Sequence, residues 1–126
     1  MELLYQAKLM DHYRTPRNQA VLVNPSVSFV LHNPVCGDLV SVQLVIHEGY
    51  VVQIGLQAKG CVVSVASASL ITERLLQNSC QAVCAFDENE LLLLIGITLG
   101  PTRLKCGLLG LQAIQRAVMQ YNKGLE

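Results

Sequence analysis

The sequence has no excess of charge and no long linker. Nine basic and nine acidic residues give a formal net charge of zero, which excludes a broad electrostatic field able to recruit nucleic acid or an anionic membrane. No Pro/Gly/Ser-rich stretch divides the 126 residues, of which 52% are hydrophobic. We therefore predict that residues 1–126 form one domain with a substantial core, and that any partner is recognised locally.

Long apolar runs are also missing. The most apolar stretch, residues 91–99, is interrupted by Gly96 and is far shorter than the roughly 20 residues that a membrane-spanning helix needs. The first five residues lack the basic region and the small-residue cleavage site of a signal peptide. These absences predict a soluble, cytoplasmic protein that does not enter a membrane.

The cysteines do not fit a disulfide framework or a zinc-ribbon motif. There are five of them, an odd number, and no Cys-x-x-Cys pair occurs. Without a secretory signal, paired disulfides are not the expected use. Two uses remain open for each cysteine, which are inert burial in the core and metal or sulfur chemistry.

Hydrophobic periodicity divides the chain into a strand block and a helix block. Alternating β-branched residues predict three strands, and spacings of three and four residues predict helices. The predicted elements are a first helix with apolar Leu3, Leu4, Ala7, Leu9, Met10 and Tyr13, strands over residues 27–31, 40–46 and 52–58, and helices over 62–75, 79–86, 88–95 and 104–122. Residues 47–50 predict a tight turn, and Asp87 with Glu90 predicts a capping box. The pattern indicates an α+β fold with a three-stranded, mostly antiparallel sheet packed against several helices.

Three cysteines lie at predicted junctions between elements. Cys36 is in a Pro/Gly loop between strands, Cys61 follows the third strand, and Cys106 is placed at the opening of the last helix. Unpaired N–H groups in the first turn of a helix favour the thiolate, and Lys105 and Arg103 add positive charge beside Cys106. Alternatively, Lys105 is only a solvated residue ahead of a helix.

Four other residues are candidates for the same chemistry. Cys80 and Cys84 share a helix face, but their apolar neighbours favour packing in the core. His32 is four residues from Cys36, although a strand-end position favours an exposed or hydrogen-bonded side chain. Asp38 can complete a tetrahedral site with three thiolates or cap the turn. The spacing alone does not decide between these two roles.

Several segments together form a recognisable pattern. They are residues 5–13 with 16–18, Pro-Val-Cys-Gly-Asp at 34–38, Gly-Cys at 60–61 with 64–73, and Lys-Cys at 105–106 with Leu108, Ala113 and Ile114. In this order they resemble the IscU/NifU/SufU family of iron-sulfur cluster assembly scaffolds. The resemblance covers nearly the whole chain.

The resemblance implies a SufE/NifU-like α+β sandwich and a function in cluster assembly. Members of the family accept persulfide sulfur from a cysteine desulfurase, take iron from an iron donor, build a transient 2Fe-2S cluster and pass it to apo-proteins or carriers. By resemblance, Cys36, Cys61 and Cys106 match the family cysteines. Asp38 matches an aspartate that is implicated in zinc binding and in keeping the cluster labile.

The chain departs from the family pattern at two places. A histidine precedes the third cysteine in the IscU and NifU branches, whereas Lys105 stands here, as a basic residue does in the SufU branch. The step from Cys61 to Cys106 is nevertheless too short to contain the SufU insertion. Leu-Gly-Pro-Thr-Arg at residues 99–103 replaces the Leu-Pro-Pro-Val-Lys segment that IscU proteins present to a dedicated Hsp70 chaperone. Handover by that chaperone is therefore expected to be reduced or absent.

Three functions follow from this pattern. The leading prediction is a scaffold and sulfur carrier, which is not an enzyme: the Cys106 thiolate, helped by Lys105, accepts the sulfur, and iron assembles on Cys36, Asp38, Cys61 and Cys106. A second prediction is a zinc-bound, SufU-like sulfurtransferase that activates a desulfurase, with zinc at the same four residues. A third is a non-catalytic regulator that binds a desulfurase. Retention of the four site residues argues against the third.

Overall fold

A three-stranded sheet covered by helices is the framework of the computed structural model, which describes residues 2–34 and 37–125. The elements are α1 (Glu2–Arg14), β1 (Val27–His32), β2 (Leu39–His47), β3 (Tyr50–Lys59), α2 (Val62–Leu75), α3 (Cys80–Ala85), α4 (Glu88–Ile95) and α5 (Pro101–Gly124). The predicted α+β class is confirmed. None of the helices in the described part of the chain is long and apolar enough to cross a membrane.

The sheet has the order β1-β2-β3, and both strand pairs are antiparallel. On β2, Val40, Val42 and Leu44 are fully buried because alternate side chains of a strand face the same side of the sheet. The predicted turn after β2 is confirmed, with Glu48 and Gly49 at φ values of +50° and +80°. Two successive left-handed residues match the right-handed twist of a hairpin, which fixes the register of β2 on β3.

Helices α2 and α5 pack against the sheet and against each other at very short distance. A Cβ atom added to Gly110 of α5 would lie 2.6 Å from the Cα atom of Ala68 on α2. Only a glycine facing a small residue permits this approach of two backbones. The contact therefore fixes the separation between α2, which Cys61 caps, and α5, which carries Cys106.

Two helix starts test the predicted boundaries. The capping box of α4 is confirmed, since Asp87 accepts from the Glu90 backbone and Glu90 accepts from the Asp87 backbone. The predicted start of the last helix at Leu104 is wrong, because α5 begins at Pro101 with Gly100 as its N-cap. Proline is well suited to the first helical position, because a backbone N–H there would have no acceptor within the helix. It begins this helix instead of breaking the chain before it.

The buried face of α1 does not include all the apolar residues that were predicted to form it. Leu3 and Leu4 are 81% and 69% exposed, whereas Leu9 and His12 are each only 4% exposed. Leu9 and His12 are three residues apart and lie on the same side of the helix. Leu9 and His12, and not the leucines at the start of the helix, therefore define the inward face of α1.

His12 belongs to a buried polar cluster between α1, the following loop and α2. The Nδ1 atom of His12 lies 2.7 Å from the Ser69 Oγ, and the Arg17 backbone N–H donates to the same oxygen at 2.8 Å. The His12 Nε2 atom lies 3.3 Å from a Glu73 carboxylate oxygen. Because Ser69 already accepts from Arg17, we assign its own proton to the His12 Nδ1. The ring is then neutral and donates from Nε2 to Glu73.

The free energy of unfolding is expected to fall as the pH drops below 6.5. Burial, followed by the charge of Arg17, holds the pKa of His12 below its ordinary value of 6.5, against the opposing effect of Glu73. The unfolded chain therefore binds this proton first, and stability is lost from 6.5 down to the lower pKa of the folded state. Urea unfolding on either side of this pH checks the prediction. The His12→Gln variant is the control, and an undiminished pH dependence in that variant would contradict it.

Candidate metal centre

Three segments of the chain meet at one end of the sheet. Asp38 directly precedes β2, Cys61 follows β3, and Cys106 lies on α5. One ligand atom from each of these three side chains lies within 4.8 Å of the other two. Three residues that are far apart in sequence therefore form one cluster. Cys36, the fourth predicted member, lies outside the described residues.

The Asp38 carboxylate is buried and fixed in orientation. It is 2% exposed, and its Oδ1 accepts the Cys61 backbone N–H at 3.0 Å. Its Oδ2 accepts the hydroxyl of Ser64 and lies 3.5 Å from the Cys61 sulfur. A buried carboxylate is stable only with such donors or a cation, because ionised groups are costly to remove from water.

Gly60 makes room for this carboxylate. Its φ is +143°, a conformation that residues with a side chain rarely adopt, and an added Cβ atom would overlap the Asp38 carboxylate. Only glycine therefore fits between β3 and α2 with Asp38 in its present place. The sequence placed Gly60 beside Cys61 without indicating this role.

Cys61 is the N-cap of α2 and is exposed to solvent. Its sulfur accepts the Ser64 backbone N–H at 3.4 Å, and the Ser64 Oγ also lies 3.4 Å from it. The sulfur thus lies at the start of the helix, where backbone N–H groups have no partner within the helix itself. The predicted position of Cys61 at a helix start is confirmed.

The corresponding prediction for Cys106 is wrong. This residue is the sixth of α5 because the helix begins at Pro101, and the effect of the helix dipole fades within the first turn. Cys106 is also 4% exposed, in contrast to Cys61. Its place in the cluster follows from the packing of α5 on α2, where Gly107 approaches Val63.

Lys105 directly precedes Cys106 on α5. Its side chain is exposed and borders a cavity of 310 Å³ together with His32, Asn33 and Gln112, and a smaller one of 110 Å³. The described lining of both cavities includes none of Asp38, Cys61 and Cys106, so the link of the Lys105 cation to the site is its position beside Cys106 in the sequence. His32 is exposed at the end of β1 and is not one of the three grouped ligands.

The other two described cysteines lie outside the cluster. Cys80 is buried, as predicted, and burial raises the pKa of its thiol. Cys84 is exposed, so the prediction that both pack in the core is wrong for this residue. Their helix, α3, has six residues, and Cys80 and Val83 form its buried side while Cys84 lies near its end.

The donor set suits a thiophilic metal. Two thiolates and a carboxylate are ligands of zinc, and thiolates are also the usual ligands of iron-sulfur clusters. With metal–ligand distances of about 2.0–2.3 Å, tetrahedral zinc places its ligand atoms roughly 3.5–3.8 Å apart. The ligand atoms of Asp38, Cys61 and Cys106 lie within 4.8 Å of one another, so they need to move only slightly closer together to bind zinc.

Ser64 is the member of the site that sequence reasoning missed. It lies in the pattern that carries the family resemblance, but no role was predicted for it. The available signal was its position three residues after Cys61, which is the spacing at which an N-cap side chain meets the helix. Its contact with Asp38 depends on a segment 26 residues earlier in the chain, which local patterns do not reveal.

Comparison with known proteins gives consistent matches. The family described as "NifU-like N terminal domain" matches residues 4–125. The zinc-dependent sulfurtransferase SufU of Bacillus subtilis is 27% identical over 141 residues, which cover 98% of this chain and 95% of SufU. The iron-sulfur cluster assembly scaffold protein IscU of Escherichia coli is 28% identical over 128 residues, which cover 98% of each chain. A crystal structure of a NifU-like protein from Brucella abortus has the same fold, with a TM-score of 0.79, 18% identity and 94% of each chain covered.

Proposed function

Because the chain belongs to the NifU-like N-terminal domain family, we propose that it is an iron-sulfur cluster assembly scaffold. In this role it accepts persulfide sulfur from a cysteine desulfurase, binds iron, assembles a cluster and transfers it to acceptor proteins. The observation that carries the proposal is the convergence of Asp38, Cys61 and Cys106, with ligand atoms within 4.8 Å of one another. Cys36 is the proposed fourth ligand.

Sulfur enters as the outer atom of the desulfurase persulfide. A thiolate of the scaffold attacks this atom, a new S–S bond forms on the scaffold, and the desulfurase cysteine leaves as a thiolate. We propose Cys106 as the acceptor, with the adjacent Lys105 cation favouring its thiolate. Cys61 is the exposed sulfur of the pair, and its proximity to Cys106 permits transfer from one to the other. An external reductant supplies the two electrons that convert the bound sulfur to sulfide.

The ligand set also favours release of the cargo. Asp38 offers oxygen, a harder ligand than sulfur and a weaker match for iron in a cluster. A poorly matched ligand is easily displaced, which suits a protein that passes its cargo on to acceptors.

A zinc-bound sulfur acceptor is the second candidate function. The relative SufU is named as a zinc-dependent sulfurtransferase, and Lys105 matches the basic residue expected before the third cysteine of that branch. However, the alignment with SufU spans 141 positions and that with Escherichia coli IscU spans 128, although each covers 98% of this chain, so the SufU alignment needs more gaps in this chain. This agrees with the missing insertion and favours the scaffold, a stoichiometric carrier that is not an enzyme.

Anaerobic reconstitution separates the proposed functions. The protein is incubated with iron, cysteine and a cysteine desulfurase under reducing conditions. A scaffold gives visible thiolate-to-iron absorption with bound iron and sulfide. A sulfur acceptor gives persulfide and zinc exchange alone. Neither signal, together with desulfurase binding, would indicate a regulator and overturn the proposal.

The segment 99–103 is expected to be a poor ligand for a dedicated Hsp70 chaperone. A peptide of these residues should bind at least about tenfold more weakly than a Leu-Pro-Pro-Val-Lys peptide. Replacing a methyl group in an apolar pocket has an effect of this size. Thr102 stands where the valine is required, and Gly100 loosens the extended shape. In the folded protein Pro101 already begins α5. Fluorescence anisotropy measures the affinity, and a peptide with Gly100→Pro and Thr102→Val is the control expected to regain it. Equal affinity of both peptides would refute the prediction.

A further inference from the structure

Ser64 contacts two of the three grouped ligand residues, Asp38 and Cys61. The residue is completely buried. Its hydroxyl donates to the Oδ2 of Asp38, and the hydroxyl oxygen itself, Oγ, lies 3.4 Å from the sulfur of Cys61. Its backbone N–H donates to that sulfur as well, at 3.4 Å. A single residue thus connects the carboxylate ligand to a thiol ligand.

The hydrogen bonds of Ser64 and Cys61 fix the plane of the carboxylate. The backbone N–H of Cys61 holds Oδ1 at 3.0 Å, and the hydroxyl of Ser64 holds Oδ2. Each carboxylate oxygen has two lone pairs, so each can accept one of these bonds and still offer a lone pair to a metal. When a metal binds Cys61, the thiol loses its proton, but the Ser64 hydroxyl keeps its own and continues to donate to Asp38.

We propose that Ser64 is a positioning residue, which orients the Asp38 carboxylate towards the two thiolates and thereby sets how long a metal cargo stays bound. The proposal rests on the proposed function, because it assumes that Asp38 is a ligand. Groups that hydrogen-bond a metal ligand from behind commonly change metal affinity by about 10–100-fold. Ser64 touches the ligands and not the cargo, so it acts through Asp38.

The rate of zinc release tests this role without any cluster assembly. The protein is loaded with Zn²⁺, and transfer of the metal to a chromogenic chelator is followed by stopped-flow absorbance. We expect Ser64→Ala to release zinc about tenfold faster than the wild type. The matched control is Ser67→Ala, since Ser67 lies on the same helix, is 1% exposed, and has an Oγ with no hydrogen-bond partner in the described structure. Its release rate is expected to equal that of the wild type.

A double-mutant cycle separates positioning from a general loss of stability. If Ser64 acts through the carboxylate, Ser64→Ala has little further effect in an Asp38→Ala protein. Ser64→Thr, which keeps a hydroxyl, is expected to restore slow release. The proposal is overturned if Ser64→Ala behaves like Ser67→Ala, or if its effect is the same with and without Asp38. A wild-type protein that holds no zinc would also overturn it. The anaerobic reconstitution with iron, cysteine and a desulfurase then shows separately whether the proposed function fails too.

Discussion

The Cys106→Ser variant, purified without oxygen and reconstituted with iron and a desulfurase, is expected to lose nearly all of its bound iron and sulfide. Serine remains protonated at neutral pH and is a poor ligand for iron in a cluster, for which thiolates are the usual ligands. The substitution also removes the proposed sulfur acceptor. Visible absorption and metal analysis measure both losses in a single sample.

Cys84→Ser is the matched control for this experiment. Cys84 is an exposed cysteine on α3, outside the cluster formed by Asp38, Cys61 and Cys106. We expect this variant to keep the iron, sulfide and absorption of the wild type. If Cys106→Ser also keeps them, the proposed ligand set is refuted. If the wild type holds zinc alone and stimulates a desulfurase only when Cys106 is present, the sulfur-acceptor function replaces the scaffold.

Gly60→Ala is expected to weaken zinc binding by about 100-fold, the upper end of the effect that the surroundings of a metal ligand exert. The added methyl group overlaps the Asp38 carboxylate, which has to leave its place. Alanine is also strained in the unusual backbone conformation of Gly60, which lowers the free energy of unfolding of the variant by about 1–3 kcal/mol. Competition with a zinc chelator and urea unfolding measure the two effects separately.

Gly49→Ala distinguishes the collision from the backbone cost. Gly49 also has a positive φ, +80°, but an added Cβ atom there meets nothing within 4 Å. We expect this variant to lose a similar amount of stability, about 1–3 kcal/mol, and to bind zinc as the wild type does. Equal loss of zinc affinity in both variants would show that instability, and not displacement of Asp38, is the cause.

The fold was largely predictable because its elements have strong local signals. Alternating β-branched residues identified all three strands, and the residues at positions 47–50 identified the turn that pairs β2 with β3. Asp87 and Glu90 identified the start of α4. The errors occur where tertiary contacts decide, as in α1, where burial of His12 overrides the apolar pair Leu3 and Leu4.

The candidate site was only partly predictable from local patterns. The junction position of Cys61 was visible in the sequence, whereas Cys106 was wrongly placed at the opening of the last helix. The grouping of both cysteines with Asp38 rested on family resemblance. The roles of Gly60 and Ser64 were missed because both depend on contact with Asp38, which is more than 20 residues earlier in the chain. Proline at position 101 was read as a helix breaker although it begins α5. Of the two cysteines predicted at helix starts, Cys61 therefore lies at one and Cys106 does not.

The tight contact of Gly110 with Ala68 has a thermodynamic consequence. Because Cys61 caps α2 and Cys106 lies on α5, their two sulfurs keep their separation only while the core is intact. A cargo that needs both sulfurs therefore binds the folded chain in preference to the unfolded one. Such a ligand at 100 times its dissociation constant adds about 2.7 kcal/mol to the stability of the folded state. Delivery of the cargo thus leaves behind a protein with a lower melting temperature, and thermal denaturation can report how much of the population is loaded.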